Sequence, residues 1–261
     1  MTNKYFFFLF FFSFFVSGAA AQHISENARH QKLIYTVDSI LQSQVNRKLI
    51  PGAVVEIKKG NEILCRKAFG FAERNDYHNK PLAHPEKMTL GDLFDLASLT
   101  KVVGTTTAIM LLVDRGQIHV DDPVSKYIPA FGSGDKRQIT IRNLLTHTAG
   151  LITWYPLFYR ASGKEETYRL IHELPLAYPV GKIRKYSDLG FILLGEIVEK
   201  VSGMPLNEFD RLHIFQPLGM HHTTYNPLEE GALKSLLLLL MAILLKQGWC
   251  TILRWDMCLK K

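Results

Sequence analysis

Two short patterns in this 261-residue chain bring together side chains that could carry out nucleophilic chemistry. Ser98-Leu99-Thr100-Lys101 has the form S-x-x-K, and residues three apart on a helix share one face. The lysine could then take a proton from the serine hydroxyl. Tyr186-Ser187-Asp188 offers a phenol that can act as a general base beside a lysine, and a short polar side chain that can bind a substrate amide.

Both patterns have a structural alternative and a second copy elsewhere in the chain. Ser98 could be an N-cap with a solvated lysine, and Tyr186 a half-buried residue beside a capping aspartate. Ser133-Gly134-Asp135-Lys136 repeats S-x-x-K, and Tyr77-His78-Asn79 resembles the second pattern, but both lie in polar loops where nothing is expected to hold the side chains. Ser98 instead opens a long apolar helix, which would hold it and desolvate the lysine, and Tyr186 precedes an apolar helix that could anchor it.

Apolar spacing predicts the elements that must position these residues. We expect a helix with one buried stripe over 33–48, then a hairpin turning at Gly60-Asn61, and a polar loop from Glu73 to Lys87. Most of the rest is predicted to be helical. The expected helices are Ser98 to Arg115, 140–146, 167–174 and 189–202, the last ended by Gly203.

Four linked segments agree in order and spacing with one known family. They resemble the serine β-lactamase-related family, of class C β-lactamase and penicillin-binding-protein type, across about residues 33–227. The segments are Phe94 to Lys101, Thr140 to Gly150, Pro179 to Gly190, and Phe215 to Met220. Several linked segments are far more specific than either short motif.

The resemblance implies an α/β (α+β) fold in which a helical lobe is inserted into an antiparallel-sheet lobe, with the site between the lobes. On that template Ser98 is the acylated nucleophile, and Lys101 and Tyr186 pass its proton to the leaving group; which of them is the base stays open. The Ser98 N–H would form half of an oxyanion hole. The implied substrate is a β-lactam, a peptidoglycan peptide or a small ester, and no cofactor is implied.

Asp188 and His147 lie in or near these motifs but are not expected to take part in proton transfer. The family often has asparagine where this chain has Asp188. That residue remains the predicted substrate-binding group, but an ionised carboxylate cannot donate to a substrate, so penicillin-like substrates are less expected. His147 lies in a family-like segment and is expected to hold a loop by hydrogen bonds, outside the catalytic set.

The C-terminal part of the chain departs from the family. The sequence ends before the expected third motif, K-T-G or H-x-G, and Lys246-Gln247-Gly248 is a weak match. From about Gly231 the composition changes sharply, with ten leucines in 31 residues, and codons read two bases later permit a family-like sequence. We therefore expect a partial domain over 22–230 and a frameshifted tail over 231–261, so a catalytically inactive remnant is the alternative function.

Composition excludes several other classes of protein. The chain is 47% hydrophobic with a formal charge of +7, which is typical of a globular protein, and its basic residues form no run with aromatics. No nucleic-acid partner is therefore expected. The ten histidines lack metal-ligand spacing, so no metal is predicted. The three cysteines predict no disulfide framework, and Cys65 is expected in the core.

The first 21 residues have the features of a secretory signal peptide. Lys4 precedes an apolar stretch from Tyr5 to Val16, and small residues lead to a cleavage site after Ala21. The mature protein is then periplasmic or extracellular. The apolar run Leu236 to Leu245 is too short to cross a bilayer, so no stable membrane span is expected after cleavage.

Overall fold

The computed structural model describes residues 27–76, 78–225 and 227. These belong to two compact units, Met1–Asp92 and Leu93–Lys261. The predicted signal peptide at 1–21 and the tail at 231–261 lie outside the described residues, as does the weak Lys246-Gln247-Gly248 motif.

The first unit contains one helix and a three-stranded antiparallel sheet. Helix α1 spans 27–46, and the strands follow it in the order β1-β2-β3. The strands are β1 Gly52–Lys59, β2 Glu62–Asn75 and β3 Pro81–Lys87. The predicted hairpin is confirmed, because Gly60 takes the positive φ of 59° that a two-residue turn needs.

Polar contacts attach helix α1 to strand β2. The Lys67 ammonium donates to both Asp38 carboxylate oxygens at 2.8 Å, and His30 Nε2 lies 2.5 Å from the Leu64 carbonyl oxygen. Cys65 is buried as expected, with a free thiol. The helix begins earlier than predicted, and its stripe is narrower, because Ile40 is 55% exposed.

The polar segment predicted as a loop from Glu73 to Lys87 instead supplies the end of β2 and the whole of β3. Its pairing with β2 is irregular, with register shifts on both sides of Glu73. Among the described strands β3 lies at the edge of the sheet, where backbone hydrogen bonds need no apolar alternation and proline is tolerated. The sequence signal for a strand was therefore absent.

The second unit is helical and packs around one central helix. The elements are α2 Ala97–Asp114, α3 Ile141–Leu145, α4 Leu157–Arg160, α5 Lys164–Glu173, α6 Asp188–Ser202 and α7 Leu206–Asp210. Helix α6 packs against α2, α3, α5 and α7, and it is buried continuously from Asp188 to Val198. Gly203, with φ of 74°, ends it as predicted. Helices α4 and α7 were not predicted.

Helix α2 changes its winding along its length. A 3-10 turn at Ala97–Leu99 leads into a π-helical segment, Lys101–Thr106, and then an α-helix, Thr107–Asp114. Such π turns are rare and frequently occur at functional sites. By length and composition α2 could cross a bilayer, but core helices of globular proteins meet the same criterion.

A buried carboxylate lies against the π-helical segment of α2. Asp210 is fully buried, and its Oδ2 accepts a hydrogen bond of 2.6 Å from the Tyr225 hydroxyl. A side chain on Gly104 would lie 2.6 Å from that same Oδ2, so the close approach requires glycine. The other carboxylate oxygen has no hydrogen-bond partner among the described residues. Burial raises the pKa of the Asp210 carboxyl to about 7.

Candidate active site

Ser98 lies in the first turn of α2 and is hydrogen-bonded to two other polar side chains. Its Oγ is 2.7 Å from the Tyr186 Oη, and it accepts a 3.3 Å hydrogen bond from the Lys101 Nζ. The backbone before it is strained, because Ala97 has a positive φ of 44°. The Ala97 N–H donates to the Asp95 carboxylate at 2.8 Å, which helps to hold this conformation.

Lys101 is a buried cation that is held by a carboxylate and two aromatic rings. Its side chain is only 5% exposed, and its Nζ lies 2.7 Å from Asp188 Oδ1. The same Nζ lies 5.1 Å from the ring centroid of Tyr186 and 5.8 Å from that of Phe191. A buried ammonium is tolerated when it has a counter-charge and hydrogen-bond acceptors. The arrangement therefore keeps a positive charge beside the serine oxygen.

Tyr186 and Asp188 approach α2 from different structural settings. Asp188 is the first residue of α6 and is buried, whereas Tyr186 lies in the loop before that helix and is 39% exposed. Backbone contacts hold the junction, since the Ser187 hydroxyl donates to the Ile152 carbonyl at 2.7 Å and the Asp188 N–H donates to the Thr153 carbonyl at 3.1 Å. The phenol therefore lies at the exposed side of the site and the carboxylate at its buried side.

His147 belongs to the same cluster, although the sequence prediction left it outside the catalytic set. Its ring centroid is 4.6 Å from that of Tyr186, and its Nδ1 accepts a 3.2 Å hydrogen bond from the Ser187 N–H. Burial lowers the pKa of His147, and the charges of Lys101 and Arg184 lower it further. The loop-holding role expected from sequence agrees with these contacts. The ring contact with Tyr186 had no signal in the sequence.

The structure also shows where the second S-x-x-K pattern lies. Ser133 precedes the 3-10 turn Gly134–Gln138, and Lys136 donates a 2.5 Å hydrogen bond to the His172 carbonyl oxygen. The expectation that nothing holds Lys136 was therefore wrong. Its Nζ also lies 5.5 Å from the ring centroid of Phe131. The other pattern, at 77–79, contains Tyr77, which lies outside the described residues.

Within residues 27–76, 78–225 and 227, no group of three or more histidine, cysteine, aspartate or glutamate side chains could hold a metal ion. The side chains around Ser98 themselves supply a nucleophile, a phenol that can accept its proton, and a cation that can stabilise the negative charge which results. This is the set of groups that serine acylation needs.

Comparisons with known proteins identify the family of this chain. The beta-lactamase family profile matches residues 37–235, and the chain belongs to that family. A Salmonella typhimurium protein named "Putative D-alanyl-D-alanine carboxypeptidase" is 37% identical over 216 residues, which cover 77% of this chain and 49% of that protein. The chain spans about half the length of the curated relatives it matches.

Several solved structures share the fold. EstCE1, described as a hydrolase with promiscuous acyltransferase activity, superposes with a TM-score of 0.62 at 27% identity, covering 74% of this chain and 53% of its own. A class C beta-lactamase in complex with cefoxitin gives a TM-score of 0.64 at 25% identity, with coverage of 74% and 51%. The penicillin-binding protein homologue from Pyrococcus abyssi gives 0.63 at 27%, with coverage of 77% and 46%. The predicted family resemblance and α/β fold class are thus confirmed.

Proposed function

We propose that this chain is an acyl-serine hydrolase that forms a covalent acyl-enzyme on Ser98. The observation that carries the proposal is the hydrogen bonding of one serine oxygen to both the Tyr186 phenol and the buried Lys101 ammonium. A serine hydroxyl is a weak nucleophile until a neighbouring group takes its proton. Ser98 has one neighbour that can accept its proton, the Tyr186 phenol oxygen, and one that donates to its oxygen, the Lys101 ammonium.

The geometry favours Tyr186 as the group that receives the proton. Lys101 forms an ion pair with Asp188 and donates to Ser98, so it acts as a cation and a donor. The phenol oxygen is nearer to the serine oxygen, at 2.7 Å, and the ammonium near its ring would stabilise a phenolate. Ser98 Oγ would then attack the substrate carbonyl carbon, and the proton would pass through Tyr186 to the leaving amine or alkoxide.

The position of Ser98 also suits charge stabilisation on the substrate. In the first turn of a helix, backbone N–H groups have no intrahelical partner and carry the positive end of the helix dipole. The Ser98 N–H could therefore donate to the carbonyl oxygen as it becomes an oxyanion.

The substrate class follows from the relatives and from Asp188. A small ester, a β-lactam and a D-alanyl-D-alanine peptide are the candidates, because the matching proteins are described as a hydrolase with promiscuous acyltransferase activity, a class C beta-lactamase and a putative D-alanyl-D-alanine carboxypeptidase. Asp188 uses one carboxylate oxygen on Lys101, and an ionised carboxylate has no proton to donate to a substrate amide. We therefore propose small esters ahead of β-lactams as substrates. Turnover of p-nitrophenyl acetate, an ester, and of nitrocefin, a β-lactam, can be measured with the same preparation, and the ester should be the better substrate.

The decisive experiment is covalent labelling of the purified chain. A fluorophosphonate or a fluorescent penicillin should add one adduct by intact mass, and Ser98→Ala should remove it. Ser133→Ala is the matched control, because it alters the other S-x-x-K pattern and should leave labelling unchanged. A folded wild-type chain without a Ser98-dependent adduct would falsify the hydrolase proposal and favour the inactive alternative.

We also propose that the protein is exported to the periplasm or beyond the cell. Support comes from the basic, apolar and small-residue order of residues 1–21. Expression with a C-terminal tag and N-terminal sequencing of the product should give Gln22 as the first residue. A product retaining Met1 in the cytoplasm would contradict export. In the exported form we expect no nucleic-acid partner and no stable membrane span.

A further inference from the structure

The segment that carries Tyr186 has no regular structure of its own. Residues 183–187 lie between a turn and the start of α6, so the phenol position depends on contacts from elsewhere. His147 makes contacts on both sides of the tyrosine. Its carbonyl oxygen accepts the Lys185 N–H at 2.8 Å, and its ring Nδ1 accepts the Ser187 N–H at 3.2 Å.

The His147 ring also touches the tyrosine itself. The two ring centroids are 4.6 Å apart at a tilt of 37°, and the imidazole also packs against the ring of Phe191, at 5.2 Å between centroids. One histidine therefore contacts Lys185, the Tyr186 ring and Ser187. Because Tyr186 is 39% exposed, its burial alone cannot fix the phenol.

His147 adopts an uncommon backbone conformation to make these contacts. Its φ of 59° lies in the left-handed region, which costs a residue with a β-carbon about 1 kcal/mol. The preceding helix supports this conformation, because the His147 N–H donates to the Leu144 carbonyl at 3.2 Å. The helix is itself fixed by a capping box between Thr140 and Asn143. Strain held by such support is a feature of functional sites.

The hydrogen bond from Ser187 determines the protonation state of the histidine. A ring nitrogen that accepts a backbone N–H carries no proton, so the imidazole is neutral with its proton on Nε2. Burial is the first cause of its lowered pKa, and Lys101 on α2 and Arg184 on the loop act in the same direction. The negative charge of Asp188 on α6 acts in the opposite direction.

We infer that His147 is a positioning residue which, in its neutral form, holds the Tyr186 phenol against the Ser98 hydroxyl. Protonation would remove the Nδ1 acceptor of the Ser187 N–H and place a second cation beside Lys101, so the loop that carries the phenol would lose one hydrogen bond and the two cations would repel each other. The inference rests on the proposed acylation of Ser98. It predicts that neutral imidazole is required for fast acylation, which a purely structural role would not require.

The test is the second-order rate constant for labelling of Ser98 by a fluorophosphonate, measured from pH 5 to pH 8. In the wild type we expect this rate to fall as the pH drops below 6.5, since protonation of His147 begins there or lower. His147→Ala should lower the rate at pH 7.5 by about 10- to 100-fold through misplacement of the phenol. His147→Asn should recover much of that loss, because the amide oxygen replaces Nδ1 and asparagine tolerates positive φ.

Neither alanine nor asparagine at position 147 titrates in this range, so the fall in rate that protonation of His147 causes should be absent from both variants. His213→Asn is the matched control, since that ring packs at 4.7 Å against Phe209 away from Ser98, and it should keep the wild-type rate and pH profile. Thermal melting of each variant verifies folding, and His147→Asn decides the outcome if His147→Ala does not fold.

The outcomes separate this inference from the function on which it rests. A wild-type chain that forms no Ser98 adduct overturns both. The positioning role alone is overturned if the wild type labels normally and His147→Asn labels at the wild-type rate with the same fall in rate at acidic pH. The positioning role is supported if His147→Ala labels slowly, His147→Asn recovers much of the rate, and neither variant shows the fall in rate at acidic pH.

Discussion

Two regions of this chain have the same S-x-x-K spacing and hold their lysines in different ways. Lys101 faces a carboxylate, a serine hydroxyl and the ring of Tyr186, whereas Lys136 donates to a backbone carbonyl and lies over Phe131. Burial lowers the pKa of Lys136, yet among residues 27–76, 78–225 and 227 no hydrogen bond joins it to a phenol. The chemistry therefore comes from the partners that the fold places around the lysine, and the four-residue pattern alone does not supply them.

Removal of the two amines, one at a time, should give the largest difference between the two regions. Lys101→Met should lower the rate of Ser98 labelling by about 10² to 10⁴-fold, because it removes the cation beside the serine and the phenol. Lys136→Met should leave that rate unchanged. Intact-mass time courses with a fluorophosphonate measure both, and equal losses in the two variants would show that the surroundings of Lys101 are not special.

The Lys101–Asp188 pair should contribute to stability as well as to chemistry. Asp188→Ala leaves a buried ammonium without its counter-charge and should lower the free energy of unfolding by about 3–5 kcal/mol. The double variant Lys101→Met with Asp188→Asn should lose much less, because neither charge remains. Urea unfolding followed by circular dichroism measures each value.

An exposed ion pair in the same unit is the control for this measurement. Arg142 and Asp121 are 2.6 Å apart with side chains 56% and 70% exposed, so Asp121→Ala should change the free energy of unfolding much less than Asp188→Ala does. If Asp188→Ala cost no more than this control, the buried pair would not be a stabilising element.

Asp210 is a second buried carboxylate to compare with Asp188. Its hydrogen-bond partner among the described residues is a tyrosine and not a lysine. Its pKa of about 7 in the folded state exceeds the ordinary 3.8, so the folded state holds this proton more tightly than the unfolded state does. Its contribution to stability is then fully present below about pH 4 and is lost as the pH rises towards 7.

Asp210→Asn should remove this pH dependence. Its stability relative to the wild type should increase between pH 4 and pH 8 by up to about 4 kcal/mol, at about 1.4 kcal/mol for each pKa unit. Urea unfolding at both pH values measures the change. A constant difference between variant and wild type would mean that Asp210 is ionised in the folded protein throughout this range.

The sequence predicted the central parts of the second unit well, because their signals are local. Helix α6 has apolar residues along its whole length and a glycine at its end, and α2 follows an apolar run, so both were expected within one or two residues. Strand β3 was missed, because an edge strand is held by backbone bonds that leave no alternating pattern in Pro81–Lys87.

The members of the site were predictable from sequence to different degrees. Ser98 and Lys101 lie one turn apart on the same helix, so their spacing alone placed them together. Tyr186 required the family resemblance, because 88 residues separate it from Ser98. The contacts of His147 with Tyr186 depend on two loops folding against each other, and a single sequence contains no signal for that.

Because helix α6 is buried, loss of activity on heating should be tied to unfolding of the helical unit. The carboxylate that holds Lys101 is the first residue of a helix whose next ten residues are also enclosed. Such a helix cannot shift without disturbing the interior, so the ion pair cannot loosen by itself. Inactivation and melting of the helical unit should therefore share one transition, with no folded but inactive form at intermediate temperatures.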